Sequence, residues 1–206
     1  MSEKEEKKII EDYSLKPNHL GGHLNRTNID QPLLEHLKNK LNINSMLDIG
    51  CGTGGMKKIA DELNIKWFGV DGDPTVIENS DNTLLHDFCV GQATIDKTFD
   101  LIWCTEFLEH VEEKYIPNYM PLFKLGKLAV VTAAPPGWPG HHHVNCREES
   151  YWIDVFKKYG FNYDNAKTIE FKSISKMNPE NKGYRYGERK NFFLKAGLVF
   201  TNGNRT

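Results

Sequence analysis

The chain has 206 residues, with 26 Lys or Arg and 28 Asp or Glu, which gives a net charge of -2. This length is enough for one domain with a full core, and the nearly neutral charge disfavours a protein that depends on phosphate-backbone contacts. No apolar stretch approaches the ~18 residues of a membrane span, and the charged N-terminus lacks a signal-peptide core. The four cysteines form no CxxC pair. We therefore expect a cytoplasmic protein with reduced thiols and no membrane partner.

The pattern along the chain predicts an α/β fold. Residues 1–44 are interpreted as a charged arm and a helical cap, whose helix over residues 31–41 places on one face Leu33, Leu34, Leu37 and Leu41. Residues 45–206 are interpreted as the ligand-binding domain. Its predicted strands are SMLDIG, KWFGVD, TLLHD, FDLIWC and KLAVVTA, and its predicted helices are MKKIADEL, PTVIEN, EFLEHVEEKYIPNYM and EESYWIDVFKKYG. This alternation is typical of a Rossmann-like, mostly parallel sheet with helices on both faces. Beyond residue 162, only NFFLKAGLVFTN gives a clear signal, for a short helix and a final strand.

A glycine-rich loop, LDIGCGTGG, follows the first predicted strand. Gly50, Gly52 and Gly54 permit a tight turn and close approach of a ligand, and the next helix offers free backbone N–H groups. Asp71 ends the second strand, where a carboxylate can accept both hydroxyls of a ribose. The loop also fits the dinucleotide pattern GxGxxG, but Asp48 brings a negative charge that suits an ammonium group and repels a pyrophosphate. Together these residues predict a cofactor of the adenosine type.

These motifs resemble those of the class I S-adenosylmethionine-dependent methyltransferases, over about residues 45–131. The resemblance rests on the acid-x-GxGxG pattern that starts at Asp48, on Asp71 in GVDGDP, on Asp87 in LLHDF, and on the LEHV segment in FDLIWCTEFLEHV. It implies a class I methyltransferase fold and S-adenosylmethionine as methyl donor. The cofactor-binding residues predicted on this basis are Asp48, Gly50, Cys51, Gly52, Gly54, Asp71, Gly72, Asp73, Asp87, Phe88 and Cys104.

Two carboxylates and an imidazole follow the fourth predicted strand, and a histidine run follows the fifth. On a helix, Glu106, Glu109 and His110 would share one face, and residues 141–143 are histidines in a loop rich in Pro and Gly. The ExxEH spacing resembles that of metal-assisted O-methyltransferases, such as the family that modifies the 2′-hydroxyl at the 3′ end of small RNAs and the enzymes of ubiquinone biosynthesis. That resemblance implies a Mg or Mn ion held by Glu106, Glu109, His110 and His142.

A metal-free interpretation of the same residues stays open. In it, Glu109 and His110 orient the active-site segment, and the acceptor proton is removed by a histidine, for which the candidates are His110, His142 and His143. Trp138 lies in the same predicted loop and is a candidate for stacking on a planar acceptor. Residues 19–27 form either a turn before the first helix or a lid over the cofactor.

We predict a methyltransferase that modifies a hydroxyl oxygen of a small or sugar-like molecule, because the overall charge does not favour nucleic acid. One alternative is a metal-assisted RNA or nucleotide 2′-O-methyltransferase. It rests on residues 172–206, which hold eight basic and two acidic side chains interleaved with Tyr184, Tyr186, Phe192 and Phe193. The glycine loop by itself is also compatible with an NAD-dependent oxidoreductase, or with a cofactor-binding module without activity.

Overall fold

A seven-stranded sheet lies at the centre of the protein, in a computed structural model that describes residues 17–21, 27–179 and 191–205. In chain order the strands are β1 (Asn28–Ile29), β2 (Ser45–Ile49), β3 (Lys66–Asp71), β4 (Thr83–Leu85), β5 (Phe99–Cys104), β6 (Gly126–Thr132), β7 (Phe161–Tyr163), β8 (Asn178–Pro179) and β9 (Gly197–Asn202). Their order across the sheet is β4-β3-β2-β5-β6-β9-β7, and β1 pairs separately with β8.

The five strands from β4 to β6 run parallel, whereas β9 pairs antiparallel with both β6 and β7. These five parallel strands are the five that the sequence predicts, and β9 is the predicted final strand. The predicted mostly parallel, Rossmann-like sheet is therefore confirmed. Because parallel neighbours share a direction, the carboxyl ends of β2, β3, β4, β5 and β6 meet at one edge of the sheet, where α/β proteins bind their ligands.

Helices cover both faces of this sheet. They are α1 (Gln31–Leu41), α2 (Gly55–Glu62), α3 (Ile116–Phe123), α4 (Glu149–Lys158), α5 (Asn165–Ile174) and α6 (Phe192–Ala196). The predicted helices over residues 31–41, 56–63 and 148–160 are confirmed, as is the short helix before the final strand. In α1, Asp30 caps the first turn by accepting a hydrogen bond from the Leu33 N–H. On the predicted apolar face, Leu33, Leu34 and Leu37 are fully buried, whereas Leu41 at the end of the helix is 39% exposed.

Two other predicted helices are wrong in whole or in part. Residues 74–76 form a turn and residues 77–79 have no regular structure. The Asp73 carboxylate accepts hydrogen bonds from the backbone N–H and the hydroxyl of Thr75, which is an Asx turn. In EFLEHVEEKYIPNYM, only α3 is α-helical, preceded by short 3₁₀ turns over Leu108–His110 and Glu113–Tyr115. Glu106, Glu109 and His110 therefore do not share the face of an α-helix.

Apolar side chains on alternate strand positions supply two cores, one on each face of the sheet. In β5, Ile102 and Cys104 enter one core, and Leu101 and Trp103 enter the other. All four of these side chains are fully buried, which explains why the parallel strands read as nearly continuous apolar runs. Within the described ranges, no helix has the length and apolar character that crossing a membrane requires.

Candidate active site

A cavity of about 420 Å³ opens at the carboxyl edge of the parallel strands, within the size range of small-molecule sites. It brings together many of the residues that the sequence singles out. Its lining includes Asp48, Gly50, Gly52, Asp71, Gly72, Asp87, Phe88, Glu106, His110 and His143. Four predicted cofactor residues do not line it: Cys51 and Cys104 are packed in the cores, Gly54 precedes α2, and Asp73 is fully buried.

The glycine loop takes a conformation that other residues rarely adopt. Gly50, Gly52 and Gly54 have φ angles of 73°, 50° and 76°, in the left-handed region that suits glycine. A Cβ at Gly50 would also lie 2.6 Å from the ring of Phe107. The Gly50 N–H donates a hydrogen bond of 2.9 Å to the Val70 carbonyl. This bond fixes the loop against β3, so its backbone is in place to receive a ligand.

Asp71 joins the glycine loop to the turn that follows β3. Its Oδ2 accepts a hydrogen bond of 2.8 Å from the Gly52 N–H, and its Oδ1 accepts one of 2.9 Å from the Asp73 N–H. These two bonds orient the Asp71 carboxylate between the glycine loop and the turn that follows β3. The ribose-binding role of Asp71 stays a prediction.

Asp48 is a buried acid on the floor of the same cavity. Only 3% of Asp48 is exposed, and its Oδ2 accepts a hydrogen bond of 3.1 Å from the Trp67 indole N–H. Burial raises the pKa of Asp48 to about 7; the Trp67 bond opposes this rise, and the charge of Asp71 adds to it. A bound cation would lower that pKa again, because an opposite charge favours the ionised carboxylate.

Asp87 lies at the far end of the cofactor side and is already hydrogen-bonded within the protein. Its Oδ1 accepts a bond of 2.8 Å from the Cys89 N–H, and its Oδ2 accepts one of 2.8 Å from Nε2 of His19. His19 and its neighbour Leu20 line the cavity. Sequence reasoning placed a candidate lid over residues 19–27 but had no signal for this pair, because the two residues are 68 positions apart.

At the other end of the cavity, a carboxylate and two imidazoles converge. Glu109, His110 and His143 each place one ligand atom within 4.8 Å of the other two. Glu109 is fully buried, and neither of its carboxylate oxygens has a hydrogen-bond partner among the described residues. Burial raises the pKa of Glu109 well above its usual range, and the charge of Glu106 raises it further. A bound cation would lower that pKa again, because an opposite charge favours the ionised carboxylate.

The loop after β6 positions His143 in this cluster. Nδ1 of His143 donates a hydrogen bond of 3.0 Å to the Trp138 carbonyl, which in a neutral ring leaves the lone pair on Nε2. A Cβ at Gly140 would overlap the His143 imidazole, so the glycine makes room for the ring. The ring centroids of His143 and His110 are 4.9 Å apart. Burial, reinforced by His143, lowers the pKa of His110 to about 4, so His110 is neutral near pH 7, as a metal ligand must be.

Two of the predicted ligands lie outside this cluster. His142 has a φ of 47°, and its ring lies 6.1 Å from that of His19, so the structure groups His143 with Glu109 and His110 instead of His142. Glu106, with a φ of 55°, is held by Thr132: its N–H donates to Oγ1 of Thr132, whose hydroxyl donates to Oε1 of Glu106, each over 2.8 Å. Burial raises the pKa of Glu106 to about 7. Sequence reasoning missed Thr132; its one signal is a polar residue at the end of an apolar strand.

Aromatic residues border the mouth of the cavity. The ring centroids of Trp138 and Phe192 are 5.9 Å apart, and Nζ of Lys195 lies 5.5 Å from the Trp138 ring centroid. Phe193, by contrast, is fully buried in a core. Tyr184, Tyr186 and four of the eight basic residues of the predicted nucleic-acid segment lie outside the described residues. The stacking role of Trp138 stays a prediction.

The sequence and the fold were compared with known proteins. Residues 47–118 match a family model described as a methyltransferase domain, and no curated protein sequence is significantly similar to the chain. Among solved structures, the magnesium protoporphyrin IX methyltransferase of Synechocystis PCC 6803 with bound SAM is 16% identical, with a TM-score of 0.49 over 65% of each chain.

Two further structures are similar in fold. An O-methyltransferase from a trans-AT PKS multienzyme of Brevibacillus brevis, in complex with S-adenosyl-L-homocysteine, is 16% identical, with a TM-score of 0.51 over 65% of this chain and 51% of that chain. The methyltransferase domain of a bacterial protein named CtHen1-CN is 14% identical, with a TM-score of 0.52 over 83% of this chain and 97% of that chain.

The chain spans less than two thirds of the Synechocystis and Brevibacillus proteins. At these identities the likeness to the two structures with TM-scores of 0.51 and 0.52 establishes the fold. The sheet order and the glycine loop agree with it. The chain therefore has the class I methyltransferase fold, and residues 47–118 match a methyltransferase domain.

Proposed function

We propose that this protein transfers a methyl group from S-adenosylmethionine to a hydroxyl oxygen, with a divalent ion bound by Glu109, His110 and His143. The observation that carries the proposal is the Glu109 carboxylate, which is fully buried, has no hydrogen-bond partner among the described residues, and lies beside two imidazoles. A buried carboxylate without partners costs free energy, and a cation would offset that cost.

The cofactor end of the cavity fits S-adenosylmethionine. The positive-φ glycines leave the loop backbone open to a ligand, Asp71 can accept ribose hydroxyls, and the charge of Asp48 suits the ammonium group of the methionine part. When bound, S-adenosylmethionine supplies a methyl group on a positively charged sulfur. The remaining task of the protein is to align that methyl group with the acceptor, and the cavity continues from Asp48 to His110 and His143 for this purpose.

The residues at the acceptor end fit a divalent ion. A carboxylate with two imidazoles suits Mn²⁺ better than Mg²⁺, which prefers a shell of oxygens. His143 donates its other ring N–H to a backbone carbonyl, an arrangement common for metal-binding histidines. A bound ion of this type lowers the pKa of a contacting hydroxyl and orients it. In the metal-free alternative, an imidazole of the same cluster removes the hydroxyl proton as general base.

The acceptor that we propose is a small or sugar-like molecule. The chain is nearly neutral overall, and the cavity has the size of a small-molecule site. An RNA or nucleotide acceptor is the second candidate, on the strength of the basic segment in the sequence. A Kd for oligonucleotides that rises steeply with salt concentration would favour the second candidate.

Calorimetric titration tests the cofactor and the ion together. The purified protein is titrated with S-adenosylmethionine, S-adenosylhomocysteine and NAD⁺, each with and without Mn²⁺. We expect both sulfur compounds to bind, NAD⁺ to give no heat of binding, and Mn²⁺ to bind to the wild type but not to Glu109→Gln. Glu112→Gln is the matched control, because Glu112 forms only a surface ion pair with Lys114.

The outcomes separate the parts of the proposal. Binding of NAD⁺ alone would overturn the methyltransferase activity. Cofactor binding without any Mn²⁺ binding would overturn the ion and leave the general-base alternative. Transfer of a labelled methyl group to a pool of hydroxyl compounds, blocked by EDTA and restored by Mn²⁺, would support the whole proposal.

A further inference from the structure

A short N-terminal segment, residues 17–21, lies over one end of the cavity. His19, Leu20 and Gly21 line the cavity together with Gly72 and Asp87. A Cβ at Gly72 would lie 2.7 Å from Cδ2 of Leu20, so Leu20 packs directly on the backbone that follows β3. The Leu20 N–H donates a hydrogen bond of 3.0 Å to the Pro17 carbonyl, which makes residues 17–20 a turn. We call residues 17–21 the covering segment.

The covering segment is attached to the domain through His19 and Asp87. Burial raises the pKa of Asp87, but hydrogen bonds from the Cys89 N–H and from His19 more than offset this, so the pKa lies below its usual value. The carboxylate is therefore ionised near pH 7 and can only accept hydrogen bonds, so Nε2 of His19 carries the proton. The resulting bond of 2.8 Å is charge-assisted, which makes it stronger than a bond between neutral groups.

Thr27, which precedes β1, contacts the glycine loop. Oγ1 of Thr27 accepts a hydrogen bond of 3.3 Å from the Gly55 N–H at the start of α2, and it lies 2.7 Å from Oγ1 of Thr53 in the glycine loop. His19 and Thr27 therefore contact the predicted cofactor site at two places, Asp87 and the glycine loop.

We propose that His19 is a positioning residue for the cofactor, which holds the covering segment over the adenosine end of bound S-adenosylmethionine through its hydrogen bond to Asp87. The inference rests on the proposed function. It assigns Asp87 a role that acts through His19. The covering segment then shields the bound cofactor from solvent and slows its release.

A double-mutant cycle on the full chain tests this joint role. S-adenosylhomocysteine is the probe, and its Kd and dissociation rate are measured for His19→Ala, Asp87→Asn and the double variant. We expect each single variant to raise the Kd about tenfold, the size expected for one charge-assisted hydrogen bond, with most of the change in the dissociation rate. The double variant should also show about a tenfold rise, because coupled residues are not additive.

Two further variants keep this test specific. His36→Ala removes a His–carboxylate contact of similar length, the 3.0 Å pair of His36 with Glu170 on the surface, and should leave the Kd unchanged. His19→Gln retains an N–H donor and should restore part of the lost affinity, which a purely structural defect would not show.

The results distinguish this inference from the proposed function. Failure of the wild type to bind S-adenosylhomocysteine would contradict the proposed function itself. Binding by the wild type, with a Kd in His19→Ala that is unchanged or lower, would overturn the role of His19. Additive effects of the two substitutions, about one hundredfold in the double variant, would show that Asp87 acts independently of His19.

Discussion

The two ends of the cavity differ in how their buried acids are paired. At the cofactor end, Asp48 accepts a hydrogen bond from Trp67, and Asp71 accepts bonds from Gly52 and Asp73. At the acceptor end, Glu109 has no such bond within the described part of the chain. Buried polar groups in native proteins are nearly always satisfied. Hydrogen bonds within the chain thus hold the acids of the proposed cofactor end, and they hold Glu106 through Thr132, whereas Glu109 is the acid that a ligand would complete.

The largest effect should come from the acid that is unpaired. Glu109→Gln should lower the Mn²⁺ affinity and the methyl-transfer rate at least about 100-fold, more than the usual loss for a residue that only supports a ligand. It should not lower the Tm, because Gln matches Glu in size and the carboxyl group that it replaces makes no hydrogen bond among the described residues. Initial rates and thermal unfolding check both parts. A fully active variant would contradict the proposed role of Glu109 in binding an ion.

The next largest effect should distinguish His143 from its neighbour His142. His143→Ala should weaken Mn²⁺ binding about 10- to 100-fold, because His143 belongs to the cluster with Glu109 and His110. His142→Ala should stay within about twofold of the wild type, as expected for a side chain outside the cluster. Mn²⁺ titration of the two variants side by side is the measurement. The reverse order would return the ligand role to His142, as the sequence suggested.

At the proposed cofactor end, removal of a hydrogen-bonded acid should lower the affinity for the cofactor and leave the affinity for Mn²⁺ unchanged. Asp71→Ala should weaken the binding of S-adenosylhomocysteine by about 1–3 kcal/mol, because charge-assisted hydrogen bonds are lost. Asp61→Ala is a matched control, since Asp61 forms an exposed ion pair with Lys57 on α2. An unchanged Kd in Asp71→Ala would remove Asp71 from the cofactor site.

The smallest effect should be a pH dependence that comes from Asp48. The ammonium group of the cofactor favours the ionised carboxylate, so binding releases a proton below the raised pKa of about 7. The Kd of S-adenosylmethionine should therefore fall as pH rises towards 7, by at most about tenfold per unit, and level off above it. Calorimetry over this range tests the slope, and Asp48→Asn should remove it. If the Kd of Asp48→Asn shows the same pH dependence, the proton released on binding comes from another group.

Much of the cofactor end could be predicted because its signals are local in sequence. The strand–glycine loop–helix unit from Ser45 to Glu62 depends on an apolar run, three glycines and a helical pattern, each of which acts over a few residues. Asp71 closes the next strand at the same edge of the sheet, so parallel topology alone places it beside the loop. The five parallel strands followed from the same kind of signal.

For the proposed acceptor end, the sequence indicated which residues take part but not how they are arranged. The sequence picked out Glu109, His110 and the histidine run, but it expected a helix from residue 106 to 120. Glu106 instead has a φ of 55°, which no right-handed helix allows, and its N–H donates to Oγ1 of Thr132, 26 positions away. Which histidine of the run joins the cluster depends on a loop hydrogen bond to Trp138 and on the space beside Gly140. Neither contact leaves a periodic signal in the sequence.

By itself, then, the sequence determined the class of fold, the order of its parallel strands along the chain and the kind of cofactor loop, because periodicity and glycine conformation are properties of short segments. Only the tertiary structure decided that His143 and not His142 meets Glu109, that Thr132 holds Glu106, and that His19 reaches Asp87. These pairings depend on the packing of segments far apart in the chain, where a difference of one residue changes which side chain points into the site.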